Sequence, residues 1–411
     1  MSFNSTFSAL SSRGFGVNLP AGWIQQTILE SNDIANTDEF GYSVALNNDA
    51  TYLVVGARVE STSPLTDQGA AYVFTRSGTT WTQQAKLLAS DAASGDLFGS
   101  SVSINNIGNT ILISAIDKDN QGAVYVFTRS GTTWTQQAKL LSSDIASGDG
   151  FGSCVSLDGT GDYAIIGASA DDISPNTNCG SAYIFIRSGS TWSQQTKLIA
   201  PTRTNSAFFG GSVQFSNDSN YVVIGAQQNG STQFGKVYVF ARSGSIWSLE
   251  LETSGSGALS VGRDRGRTVT INNDGSKIMF ASGSIALNVW IYSRIGSTWS
   301  ETQLIQNILS PTTPALTNIV NSQGISTNND TSETMLGLYI PSVSINNKVY
   351  NIISNPNYYA SQVITGSDLT PSDNYGFCVS IAQSINYAAV GAPLHTYPTS
   401  KGAVYIIYKP A

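Results

Sequence analysis

One segment of this chain recurs along its length. WIQQTILESND (23–33) is nearly repeated as WTQQAKLLASD (81–91), WTQQAKLLSSD (134–144) and WSQQTKLIAPT (192–202). Self-similarity of this kind constrains the fold more than composition does, because each copy takes one shape and stacks on its neighbours. Aligned on itself, the chain yields a unit of four strand-like pieces: FGYSVAL (40–46), YLVVGA (52–57), GAAYVFTR (69–76) and WTQQAKLLAS (81–90). Each piece is rich in β-branched and aromatic residues and is bounded by Gly, Asn, Asp or Ser, which is the signature of strands and hairpins. No sustained 3.6-residue apolar period is present, so little helix is expected.

The Phe-Gly opening recurs at 40–41, 98–99, 151–152 and 209–210, then in altered form as Val261-Gly262 and Tyr375-Gly376. The last step is twice the usual one, so a degenerate copy lies between. Its traces are Asn328-Asn329-Asp330, Val349-Tyr350 and Tyr358 in place of Trp. Seven four-stranded units predict an all-β fold, a seven-bladed β-propeller of antiparallel blades. The blades are read as 34–90, 91–143, 144–201, 202–253, 254–307, 308–367 and 368–411 plus 23–33, preceded by an N-terminal arm, 1–22. The last unit lacks a Trp-Gln-Gln strand. Residues 23–31 supply it, so the N-terminal strand is expected to complete the C-terminal blade and close the ring without bare strand edges.

A hydrophobic content of 41% supports a real core, whereas charged residues make up only 11%. The net charge of −7 supplies no basic field, which argues against a nucleic-acid partner. No apolar run approaches the ~20 residues of a membrane span. Residues 1–22 lack a basic n-region and a continuous apolar stretch, so they do not read as a secretory signal. Cys154, Cys179 and Cys378 form no metal-ligand spacing, and no cofactor or metal is expected. Cys154 and Cys378 stand where other copies carry Ser43, Ser101 and Ser212, so they read as small residues at a crowded strand. A Cys154–Cys179 disulfide stays open.

The pairing of Phe-Gly with a downstream Gly-Ala, in FGYSV…VVGA, FGSCV…IIGA, FGGSV…VIGA and YGFCV…AVGAP, resembles FG-GAP repeats. These are the blade units of integrin α-subunit propellers and of many bacterial and phage surface proteins. The resemblance implies that the loops joining strands 4 to 1 and 2 to 3 share one ligand-binding face. It departs from the integrin pattern in lacking a D-x-D-x-D-G calcium loop. Its nearest equivalent, Asp158-Gly159-Thr160-Gly161-Asp162, offers two carboxylates where calcium takes six to eight oxygens, and reads as a hairpin turn.

Internal copies separate scaffold from site. Asp33, Asp91, Asp144 and Asp368 recur seven residues before the next Phe or Tyr and read as turn caps. The Arg-Ser-Gly arginines and the recurring tryptophans likewise read as scaffold. No nucleophile elbow, phosphate loop or metal cluster is present, and no catalytic residue is assigned. A pair of acids meeting across the ring mouth, as in a glycosidase, remains an alternative.

Three departures from the repeat mark candidate sites. Blade five opens with VGRDRGRTV, placing Arg263, Arg265 and Arg267 at the 4–1 connection, either to grip anions or to pair with Asp264 and nearby acids. The 2–3 loops of blades one, three, four and seven are unlike one another, and the last carries His395, the only histidine, and Tyr397. In the outer strand, alternation puts Trp81, Gln83, Ala85 and Leu87 on one side and Thr82, Gln84 and Lys86 on the other. Lys86, Lys139 and Lys197 then blunt exposed edges. Leu304, Val363 and Ile28, with Ile24 beside the last, make the rim of blades five to seven apolar and predict a lateral contact.

These features predict a non-enzymatic binding or structural protein on a virion or tail surface, recognising a glycan or protein through propeller loops. Its partners would be other virion or surface proteins, met through residues 1–22 and the apolar rim. A bacterial extracellular adhesin or matrix protein and a carbohydrate-active enzyme are the alternatives.

Overall fold

The β-branched and aromatic runs form strands bounded by tight turns, and in blades one to five Asn, Asp or Ser caps the turn that follows the innermost strand. Asn47 Oδ1 accepts from the Tyr52 N–H at 2.8 Å, and Asn105, Ser216 and Asn272 do the same for Thr110, Tyr221 and Lys277. A computed structural model of the chain describes residues 22–409 except 32, 34–36, 145, 228–233, 257–264, 282–287, 306–320, 328–332, 340–347, 356, 365–376, 383–385 and 395–401. For 303–305 and the strands between 321 and 364 only the backbone is described.

The chain forms seven four-stranded antiparallel sheets arranged as a β-propeller, none of which closes on itself. In blade one the strands are Phe40–Leu46, Tyr52–Ala57, Ala70–Ser77 and Thr80–Leu87, in that order from the centre outward. Blades two to five repeat this order. Blade six, the degenerate copy, has Asn321–Thr327, Glu333–Tyr339, Lys348–Asn355 and Asn357–Ile364. There Tyr358 faces Ser354 as Trp81 faces Arg76. The seventh sheet is split: Cys378–Ile381, Tyr387–Ala392 and Ala403–Tyr408 come from the C-terminus, and Ile24–Leu29 pairs antiparallel with the last of them. The only helix among the described residues is a 3₁₀ turn, Lys118–Asn120.

The Phe-Gly and Gly-Ala motifs meet at blade junctions. A Cβ on Gly56 would lie 2.0 Å from the Gly99 carbonyl oxygen of the next blade, so the two backbones touch where a side chain cannot fit. Gly391 makes the same approach to Gly41, so blade seven abuts blade one. By this contact the Phe-Gly of blade five is not Val261-Gly262 but Arg265-Gly266. Gly266 O lies against Gly225, and Arg265 O against Gly235, as Phe98 O lies against Gly69. RGRTV, four residues along, is therefore the true counterpart of FGYSV.

The outer strands also correct the alternation read from sequence. Val73 faces Ala85 and Phe74 faces Gln83, so Gln84 is an unpaired bulge residue that reverses the phase of the strand. Trp81 packs with Tyr72 and Phe74 towards blade seven, whereas Leu87 packs with Val73 towards blade two. The bulge recurs in all seven sheets. Its side chain then serves the junction. Gln84, Gln137 and Gln195 each accept from the indole N–H of the next blade's Trp134, Trp192 and Trp247, at 2.9, 3.1 and 2.8 Å. At the blade seven–blade one junction the equivalent Gln26 Oε1 and Trp81 Nε1 are both buried and unpaired.

The same phase reversal turns the lysines inward. Lys86 binds Asp33 and the buried Glu60, both at 2.8 Å, and Lys197 binds Asp144 and Asp171 at 2.7 Å. Lys139 holds Asp91 at 2.7 Å. These lysines do not blunt an edge, and the recurring aspartates are not simple turn caps. Each pair clips the incoming 4–1 connector to its blade and reaches the 2–3 loop as well, in blade two through Asp119 at 3.7 Å. Asp368 lies outside the described residues.

Candidate functional site

The innermost strands surround a central channel. Their free edge is satisfied by side chains of the preceding blade: Val155 N–H donates to Ser101 Oγ (3.1 Å), Leu157 N–H to Ser103 Oγ (3.0 Å) and Leu46 N–H to Ser380 Oγ (3.0 Å). The small Ser/Cys position predicted from the repeat belongs to this ladder. Val213 N–H meets Cys154 Sγ at 3.4 Å, and the Cys378 thiol donates to Gly41 O at 3.2 Å. All three cysteines are free thiols, which removes the Cys154–Cys179 bridge. Burial pushes the Cys378 thiol up to about 12, so it stays protonated and unreactive.

The channel has two contiguous chambers. The lower, about 260 Å³, lies beside the 1–2 turns and is lined by residues such as Asn48, Asn106, Ser156 and Ser380. The upper, about 300 Å³, opens towards the 4–1 connectors and 2–3 loops. Its wall is formed by the residue after each Phe-Gly: Tyr42, Ser100, Ser153, Gly211, Arg267 and Phe377 from blades one to five and seven. This position differs from blade to blade in an otherwise repeated unit. Blades two to four leave it small, while blades five, seven and one fill it with a guanidinium and two aromatic rings.

The aromatic side is rigidly built. Tyr42 and Phe377 have centroids 4.8 Å apart. The Arg58 guanidinium lies 3.8 Å over the Tyr42 ring, donates to its hydroxyl at 2.8 Å, and is anchored to Glu39 at 2.6 Å. Burial raises the Tyr42 hydroxyl pKa, against the opposing pull of the Arg58 charge. On the small side, the Ser100 and Ser153 hydroxyls donate to the Leu97 and Gly210 carbonyls, leaving oxygen lone pairs towards the chamber. Arg267 is the one charged residue among the described residues lining either chamber.

The residues singled out from sequence separate. Arg265 is only 1% exposed and cannot grip an external anion. It replaces the buried Phe of the repeat, lies 4.7 Å over the Trp290 ring, and donates to the Ser254 and Gly255 carbonyls. Arg267 is half-buried at the chamber wall. Arg263, Asp264, His395 and Tyr397 lie outside the described residues. On the rim, Ile24 is 46% exposed and Ile28 packs partly onto the blade-seven core. Leu304 and Val363 face Trp290 and Tyr350 as Lys86 faces Tyr72, so the four-way alignment with Ile28 is correct in register. Their side chains lie outside the description.

Asp158 is a turn residue. Its Oδ1 accepts from the Gly161, Asp162 and Tyr163 N–H groups and its Oδ2 from Thr160 and Ser219. No Asp or Glu is among the described residues lining the chambers. Sequence reasoning missed Tyr42, Phe377 and Arg58. The signal lies in the third position of FGY, FGS, FGS, FGG and YGF, which diverges while the first two stay nearly constant.

Comparison with protein families matches the FG-GAP repeat at 23–74, 81–127, 134–185, 192–240 and 360–408, more than half of the chain. Each matched unit starts at or near the outer strand of one blade and ends in the third strand of the next. The sequence repeat is thus offset from the blade, which is why the first unit begins with a strand belonging to the last sheet. Comparison with curated proteins gives no match. Among solved structures, the chain is similar to the β-propeller domain of Myceliophteria thermophila Cps50 (Swd1). The TM-score is 0.61 at 8% identity, covering 94% of this chain and 99% of that one, a likeness of fold alone.

Proposed function

The chain belongs to the FG-GAP repeat family, and from that premise we propose that it is a non-enzymatic binding protein of a particle surface, a virion or tail component, that recognises a glycan through its propeller face. In this reading the split seventh blade closes the sheets into a rigid ring, and residues 1–22 with the exposed Ile24 beside them dock the ring to other surface proteins. The observation that carries recognition is the upper chamber, where Tyr42, Phe377 and Arg267 replace the small residues of blades two to four. Variable side chains on a fixed ring are the usual form of a recognition site. The described lining residues include no carboxylate, where glycoside cleavage canonically uses two flanking the bond, and this supports the binding reading. The family's bacterial and phage surface members support the location.

A glycan array read beside a reducing-sugar release assay tests recognition. Binding without release is expected, and release that survives purification would overturn the non-enzymatic reading. Fractionation of intact particles tests the location: the chain should co-sediment at a fixed copy number. Recovery only in the soluble fraction would contradict it.

A further inference from the structure

We propose that the upper chamber is a subsite for an acidic sugar, one ring carrying a carboxylate, with the acid directed at Arg267 and the ring stacked on Tyr42 and Phe377. The inference rests on the recognition reading above and gives it a ligand class.

Three features of the chamber point the same way. Its charge is one-sided: among the described lining residues Arg267 alone is charged, and it is cationic in a chain of net charge −7. A guanidinium carries five N–H donors in a fork, so it can hold a wall partner and a carboxylate together. The second feature is the aromatic pair, fixed from behind by Arg58 and Glu39. Such a surface accepts the apolar face of a sugar ring without losing side-chain freedom on binding. The third is the opposite arc. Ser100 and Ser153 have their hydrogens engaged by backbone carbonyls and present lone pairs, which accept from sugar hydroxyls and repel a carboxylate. The two arcs therefore orient the ligand, acid towards blade five and hydroxyls towards blades two and three. A chamber of about 300 Å³ is at the small end of ligand sites, which suits one sugar ring rather than a chain threaded through the channel.

The test is calorimetric titration of the full chain with digalacturonate and N-acetylneuraminic acid, each beside its methyl ester, and with an aspartate-containing tripeptide. Esterification removes the charge and keeps the shape. The acid is expected to bind at least about tenfold more tightly than the ester, the size of a charge-assisted contact. R267Q should erase that difference, R267K should keep part of it, and Y42A should weaken acid and ester alike. K277Q, the same charge change beside the 1–2 turn of blade five and away from the upper chamber, should alter neither. Equal affinity for acid and ester in the wild-type chain overturns the proposal without any variant having to fold. So does a tripeptide that binds as well as the sugars. Binding of neutral glycans only would sink the acidic subsite and leave glycan recognition standing, whereas an array with no glycan bound defeats both.

Discussion

The indole N–H groups at the blade junctions offer a stability experiment with its control inside the molecule. Trp134, Trp192 and Trp247 each donate to a bulge glutamine of the preceding blade, at 2.9, 3.1 and 2.8 Å. Trp81, at the junction with the split blade, occupies the same register but its N–H has no partner. Replacing each with Phe removes the same atoms from the same kind of site, so the loss of packing is common to the series. At the three regular junctions the substitution also breaks a hydrogen bond and strands a partly buried glutamine oxygen, whereas W81F removes a buried donor that was already unsatisfied. Those terms are worth about 1–3 kcal/mol in opposite directions. W81F is therefore expected to be milder than W134F, W192F and W247F by roughly 2 kcal/mol. At about 2.1 cal/mol/K per residue the 411-residue chain melts with an entropy that makes this only about 2 °C, so urea midpoints at fixed slope are the better assay. If W81F falls level with the other three, the account of the junction is wrong.

Other consequences follow from the clips, the exchanged core residue and the turn. Burial alone would raise the Asp33, Asp91 and Asp144 carboxyls, but the hydrogen bonds from Lys86, Lys139 and Lys197 outweigh it and hold all three below the usual value. Their contribution is thus fully present above about pH 4 and lost as pH falls through the depressed folded values. The triple Asp→Asn variant should flatten the acid limb of a stability–pH curve, each half-exposed pair contributing about 1 kcal/mol or less. R265F alone sets a second large ring against Trp290 and is expected to cost about 1–3 kcal/mol, with W290Y, the residue type of the other blades, restoring part of it. Additive effects in that double-mutant cycle would refute the pairing. D158A, which leaves three backbone N–H groups without their acceptor, should cost about 3 kcal/mol, while a calcium chelator should leave the wild-type midpoint unchanged.

Much of the scaffold was legible in the sequence because one unit recurs and its errors average out. Even blade six was placed from an Asn-Asn-Asp turn, a Val-Tyr pair and a Tyr for Trp, and its strands lie where those residues predicted. The misreadings have local causes. Strict alternation cannot reveal a bulge, so it places Gln84 and Lys86 on one outward face, whereas Gln84 serves the junction and Lys86 the connector. Val261-Gly262 reads from sequence as the Phe-Gly of blade five because the arginine at 265 does not resemble the buried Phe it replaces. Only backbone contacts with Gly225 and Gly235 show the equivalence. The upper chamber was illegible for another reason. Arg267 stands out in the sequence, but Tyr42 and Phe377 lie far from it and from each other, and only the inner strands bring the third position of the Phe-Gly triplets to one wall.

The most direct test of the account is a crystal structure of the chain with the tightest-binding glycan from the array. Sugar density between Tyr42, Phe377 and Arg267, with a carboxylate within hydrogen-bond distance of the Arg267 guanidinium, is the expected result. Density on the outer rim, or beside the 1–2 turns at Asn48 and Asn106, with the upper chamber empty, would contradict it.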